Sequence, residues 1–238
     1  MKSHVPRLGI DRFLALRWVD MALDLRIAGF TKNTATEKMY DWLSHEINGK
    51  EVVRKTVNQL NRMWFSDLDL SNSPGNWVIQ NGLANVLEYR SVIHHGMALI
   101  AFPLYRDVCA TTGRFIKLQG KCNREEILLR VLEKYTNPES TKRGINRVLQ
   151  TLVDWGILYT ADRSYVSREI SIPNTKLIEW MIITLLEVYG VNQLPFADIV
   201  NAPKLIGISF ADARAAIRSA SQLYIERTID TEMVSSVV

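Results

Sequence analysis

Cysteine is scarce in this chain of 238 residues. Cys109 and Cys122 stand alone, outside any CxxC pair and away from any His/Cys cluster with zinc spacing. That pattern excludes a disulfide framework and a zinc motif, and it suits two reduced thiols inside a cell. Long apolar runs are also missing. The stretch 97–105 is short and contains Pro103. No segment reaches the roughly 18 uninterrupted apolar residues of a spanning helix, so no membrane span is expected. The opening MKSHVPRLGIDRFLALRW lacks the apolar run of a secretory signal, and the expected location is cytoplasmic. There is no Walker loop, Rossmann glycine pattern, GxSxG elbow or HExxH helix. Carboxylates are scattered over expected helix surfaces without acid/base partners. The reading is therefore a non-enzymatic protein with no cofactor and no metal site. His94 and His95 are adjacent, point in different directions on a helix, and are assigned to packing or surface roles.

An excess of one charge is nearly absent as well. The chain carries 29 basic and 25 acidic residues, net +4. Overall charge does not identify a partner here, so the placement of the charges must. Hydrophobic residues make up 47% of the chain, enough for a sizeable core.

What is present centres on residues 139–172, ESTKRGINRVLQTLVDWGILYTADRSYVSREISI. The spacing predicts a helix over 141–155, capped by Ser140 or Thr141. Ile145, Val148, Leu149, Leu152 and Val153 form its apolar face, and Arg143, Asn146, Arg147 and Gln150 lie opposite. Gly156 ends it in a left-handed conformation. Two β-prone runs, 157–160 and 165–170, are joined by the charged turn Ala161-Asp162-Arg163-Ser164. This is the pattern of a recognition helix followed by a wing. Arginine can bond guanine bidentately, and asparagine or glutamine can do so with adenine, in the major groove of DNA. Lys142, Arg163 and Arg168 are placed to reach phosphates.

The rest of the chain reads as follows. Helices are expected over 9–28, 34–47 and 50–65, the last one basic, which is itself a helix-turn-helix plan. The string Arg54-Lys55-Thr56-Val57-Asn58-Gln59-Leu60 echoes Lys142-Arg143-Gly144-Ile145-Asn146-Arg147-Val148, and suggests a second reading helix. With Val57 in the core, Lys55, Asn58, Gln59 and Arg62 face outward, and Lys50 and Arg54 are further phosphate contacts. A loop over 66–76 precedes a helix over 77–102, broken near Gly82, and another over 104–118. Residues 119–122 read as a turn, and Asn123 caps a helix over 124–135. A strongly apolar helix over 175–189 is either core or a homodimerisation surface. A short helix (195–200), a strand (204–208), a helix (210–220) capped by Ser209, a strand (223–229) and a frayed tail (231–238) complete the chain. The fold class is mainly α: a helical bundle with helix-turn-helix units, one bearing a β-wing, and a small α+β C-terminal segment. The expected divisions are 1–70, 77–172 and 173–238.

The layout FPLYRD, GRFIKLQG, NREEILLRVLEKY and STKRGINRVLQTLVDWGIL resembles the BrxA family, small helical proteins of BREX phage-defence systems. The resemblance covers about residues 9–171. It implies a DNA-binding accessory protein that works beside a methyltransferase and other defence proteins. Sequence reasoning thus leads to double-stranded DNA as partner. The alternative is a protein-interaction adaptor that uses the wing region and the 175–189 helix as docking faces.

Overall fold

Residues 9–15 are not helical, although an apolar stripe predicts a helix from residue 9. Their backbone is engaged instead by a helix far along the chain. The Leu14 amide donates to Thr151 Oγ1 at 3.0 Å and the Leu16 amide to Asp154 Oδ2 at 2.6 Å. The Trp155 indole donates to the Leu14 carbonyl at 2.9 Å. The computed structural model describes residues 9–68, 70 and 73–237. The first eight residues of the expected N-terminal unit, and three within the expected 66–76 loop, lie outside them.

Three helices follow this segment: α1 (Leu16–Ile27), α2 (Lys32–Glu46) and α3 (Lys50–Trp64). Helix α4 (Pro74–Gln80) starts inside the expected loop, because Ser73 caps it and Pro74 suits a first turn. The left-handed Gly82 and the two 3-10 turns that follow it separate α4 from α5 (Arg90–Ala101), so the expected 77–102 helix is broken there. Helix α6 (Pro103–Gln119) leads to β1 (Cys122–Asn123), a strand where a turn is expected. In α7 (Arg124–Leu132) the Asn123 side chain accepts from the Glu126 amide, and the Glu126 carboxylate takes the Asn123 amide. That reciprocal pair fixes the helix start.

Helix α8 (Pro138–Asp154) begins earlier than expected. Asn137 is its cap, accepting from the Ser140 amide at 3.2 Å, and Pro138 occupies a position whose N–H needs no partner. Gly156 has φ of 70°. Strands β2 (Leu158–Ala161) and β3 (Ser164–Ser167) then form a hairpin. Its central residues, Asp162 and Arg163, both have positive φ, 47° and 62°. This turn geometry matches the twist of a two-residue hairpin. Strand β3 also pairs with β1, giving a sheet in the order β1-β3-β2.

The expected 165–170 strand does not continue. Strand β4 (Ile170–Ile172) departs to pair in parallel with β6 (Ile208–Phe210). Helix α9 (Thr175–Tyr189) has ten of its fifteen residues buried. It packs against α4, α5 and the short helix α11 (Ala213–Ser219). Its apolar surface is therefore core, the first of the two roles expected of it, and is not exposed as a docking face. Helix α11 is capped by Asp212, and not by Ser209. The expected 204–208 strand is a 3-10 turn, Pro203–Leu205, followed by β6. The expected tail holds β8 (Glu232–Ser236), the central strand between β5 (Gln193–Pro195) and β7 (Leu223–Arg227); α10 (Phe196–Val200) sits beside them.

The described residues are thus mainly helical, with eleven α-helices and eight short strands. One buried apolar cluster runs from Ile10 to Val234. Helix α5 lies in its midst, touching α1, α3, α4, α6 and α9. Both histidines of α5 are fully buried. His94 is bonded to Asp20 at 3.0 Å, and His95 bridges Tyr105 Oη and the Lys204 carbonyl. Among the described residues, no helix is long and apolar enough to cross a membrane.

Candidate functional site

Helix α8 is amphipathic, and its two faces have different surroundings. Ile145, Val148, Leu149 and Leu152 are fully buried, and Val153 is half-buried. Gly144 sits where helices close up: a Cβ there would lie 2.5 Å from Leu104 Cδ2 and 3.1 Å from the Ile10 carbonyl. Close packing against α6 and residues 9–15 therefore fixes the roll of α8. That roll leaves Lys142, Arg143, Arg147 and Gln150 exposed and Asn146 half-buried.

Arg143, Asn146, Arg147 and Gln150 line one side of a cleft of about 380 Å³. Lys55 of α3, Ser140, Asp11 and Arg12 complete it. Four of these side chains are cationic and one, Asp11, is anionic. The two strings that echo each other in the sequence thus meet across a single cleft, although only Lys55 of the α3 string reaches it. Arg147 and Gln150 form a ridge shared with a second depression, of about 490 Å³, between α8 and the β2–β3 hairpin. Phe13, Leu149, Val153, Thr160 and Tyr165 make that second space largely apolar.

The charges on α3 are compensated on their own helix. Arg54 donates twice to Glu51, at 2.7 and 2.8 Å, and Lys55 lies 3.6 Å from the same carboxylate. Glu51 is held down to about 2 by the hydrogen bond from Arg54, with the charges of Arg54 and Lys55 adding to it. On α8 the situation differs. Among the described residues, Lys142, Arg143 and Arg147 form no ion pair, and the hairpin's Arg163 forms none either. Arg12 lies 3.9 Å from Asp11, so the cationic field of the cleft comes mainly from α8.

Several expected site residues lie elsewhere. Gln59, expected to face outward, is buried; its amide donates to Asp11 Oδ1 at 2.6 Å because residues 9–15 lie over that part of α3. Arg62 is exposed but covers the Phe102 ring, 5.6 Å from its centroid. Lys50, Arg54 and Asn58 are exposed on α3 and do not line the cleft. Arg163 is exposed at the hairpin turn. Arg168 is exposed, but lines a different depression with Tyr159 and Val166. Alternation along the hairpin explains this: Thr160 and Tyr165 pair on the face toward α8, whereas Tyr159 and Val166 pair on the other.

Sequence reasoning missed Asp11, Arg12 and Arg124. Asp11 and Arg12 fall within an apolar stripe that reads as helix, so nothing in the sequence marks them. Arg124 Nε donates to Asn146 Oδ1 at 2.6 Å, a contact between helices that periodicity cannot reveal. No protein-family model, curated protein or solved structure matches the chain.

Proposed function

We propose that the protein is a non-enzymatic double-stranded DNA-binding protein with α8 as its recognition helix. The observation that carries this reading is the cleft itself: four cationic side chains from three parts of the chain converge, and two of them, Arg143 and Arg147 of α8, have no carboxylate partner among the described residues. DNA offers phosphates to such a cleft and base edges to the helix that borders it. The order α6, β1, α7, α8, β2, β3, with its sheet order β1-β3-β2, supports the finer reading of a winged helix-turn-helix. In this reading α3 is a flank that contributes Lys55, and is not a second reading helix. Arg163 reaches the backbone from the hairpin turn. Arg168 plays no part, being on the far face of the sheet. The proposed setting, which follows the resemblance to BrxA-like proteins, is an accessory role in phage defence.

The test is Arg143→Glu/Arg147→Glu. Both side chains are exposed, so the melting temperature should hold. Duplex affinity should fall at least about tenfold, and the salt slope should flatten by about two units, one for each phosphate no longer neutralised. Unchanged duplex affinity in the folded variant would refute the assignment of α8.

A further inference from the structure

Lys204 lies in the 3-10 turn Pro203–Leu205, and its neighbours hold that turn rigidly. The turn packs along α6 so closely that a Cβ at Gly113 would lie 1.9 Å from the Pro203 carbonyl. The Lys204 carbonyl is bonded to the buried ring of His95 at 2.8 Å. The turn ends on Ile206, which adopts φ of 58° and ψ of −106°. A β-branched residue there is strained, and such strain persists only where the surroundings impose it. What this turn presents is an ammonium group. Lys204 is half-buried, with Nζ 3.3 Å from the centre of the Tyr189 ring.

The neighbours of that ammonium are mostly cations. Burial, and then the charges of Arg114 and Arg106, push the Lys204 pKa down to about 8. Asp107 is the nearby carboxylate, and both its oxygens are engaged. Lys134 donates to one at 2.5 Å and Tyr135 to the other at 2.8 Å. Among the described residues, Arg106, Arg114 and Lys204 form no ion pair. Glu187 is the next carboxylate toward Arg106, and Asp198 the next toward Tyr189. Arg106 Nε is buried without a hydrogen-bond partner. None of these side chains lines the α8 cleft. Arg106 lies about 200° round α6 from Leu104, the residue that closes on Gly144 of α8, so it is turned away from that helix.

We propose that Lys204, Arg106 and Arg114 form a binding site for a phosphate group, free in solution or carried by a small molecule. Cations gathered without counter-charge repel one another, and a bound dianion removes that repulsion. Guanidinium groups bond phosphate oxygens in pairs, and the ammonium adds a point charge. A lone carboxylate, with one charge, would compensate less of the cluster. The site is independent of the reading of α8.

The experiment is isothermal titration calorimetry of the full chain with inorganic phosphate and with adenosine monophosphate, at ionic strength held constant with chloride. Calorimetry is preferred to melting because phosphate also stabilises proteins without binding them. The wild type should bind phosphate saturably. Lys204→Met keeps the stem and the carbonyl that His95 holds, and should weaken binding by about tenfold or more. Arg114→Gln, at an exposed position, should weaken it several-fold. Without phosphate, Lys204→Met should melt no lower than the wild type, since one of several like charges is gone. Arg143→Glu/Arg147→Glu should bind phosphate as the wild type does. Tighter binding of adenosine monophosphate assigns the site to a phosphorylated small molecule, and equal or weaker binding assigns it to phosphate itself. No saturable heat with either probe at millimolar concentration overturns the site. Undiminished binding in both Lys204→Met and Arg114→Gln overturns it as well. Loss of binding in Arg143→Glu/Arg147→Glu would move the phosphate to the α8 cleft and also overturn it.

Discussion

Asp11 illustrates how one side chain can set the character of a surface. Among the described residues it is the only carboxylate lining the cleft, and its Oδ1 accepts from the Gln59 amide. Asp11→Asn keeps an acceptor for Gln59 and removes the negative charge. Duplex affinity of that variant should rise a few-fold at low salt, read by fluorescence anisotropy, because phosphates no longer meet a like charge. An unchanged affinity would place the bound DNA away from Asp11. Arg163 is the converse case. It adopts φ of 62°, a conformation that costs a side-chain-bearing residue about 1 kcal/mol, where glycine would be at ease. Arg163→Gly should raise stability by about that amount in urea unfolding, and weaken duplex binding as expected when one phosphate is left without its cation. Gain of stability with duplex binding intact would show that the strained arginine has no role at the interface.

At the scale of elements, strong helical periodicity is legible in the sequence and long-range pairing is not. Helix α9 matches its expected span, since Asn174 caps it and the left-handed Gly190 ends it, both local signals. The phase of α8 is legible for the same reason, and so is the hairpin, whose turn chemistry is local. Residues 9–15 mislead because their apolar stripe fits a helix, while Thr151 captures the Leu14 amide, and Asp154 the amide of Leu16 where α1 begins, from more than a hundred residues away. Strand β8 reads as a tail because its partners, β5 and β7, are separate short segments that no local pattern joins to it. Gln59 follows helical phase correctly, yet is buried by the same segment. Of the candidate site, the α8 residues are therefore readable, whereas Asp11, Arg12 and Arg124 depend on tertiary contacts. The segment is open to test. Thr151→Val deprives the buried Leu14 amide of its partner, and should cost about 1–3 kcal/mol in urea unfolding. A neutral result would mean that residues 9–15 are held by their apolar contacts alone.

At the scale of the whole molecule, buried histidines join distant parts of the chain. His95 links α5 to α6 through Tyr105 and to the C-terminal region through the Lys204 carbonyl. Burial pushes its pKa down from the usual 6.5 to about 4, against the pull of that carbonyl. Burial also lowers His94, outweighing its hydrogen bond to Asp20. The folded chain thus keeps His95 neutral where the unfolded chain takes up a proton. Stability is fully present above about pH 6.5 and falls as the pH drops toward 4, with His95 contributing on the order of 3 kcal/mol. Urea unfolding at pH 7 and pH 4.5 should show the fall, and His95→Gln, which does not titrate, should shrink it. A fall of equal size in that variant would contradict the assignment. Net charge is also instructive at this scale. A chain of only +4 concentrates four cations at one cleft, so any attraction for a polyanion should be local.

The salt dependence of duplex binding tests the central claim most directly. If Arg12, Lys55, Arg143 and Arg147 of the cleft and Arg163 of the hairpin neutralise phosphates, log affinity plotted against log salt should fall with a slope of about −4 to −5. Arg143→Glu/Arg147→Glu should bring that slope to about −3 or flatter. Tight binding with a flat slope, or a slope the double variant leaves unchanged, would contradict the proposal that this cleft is where the protein meets DNA.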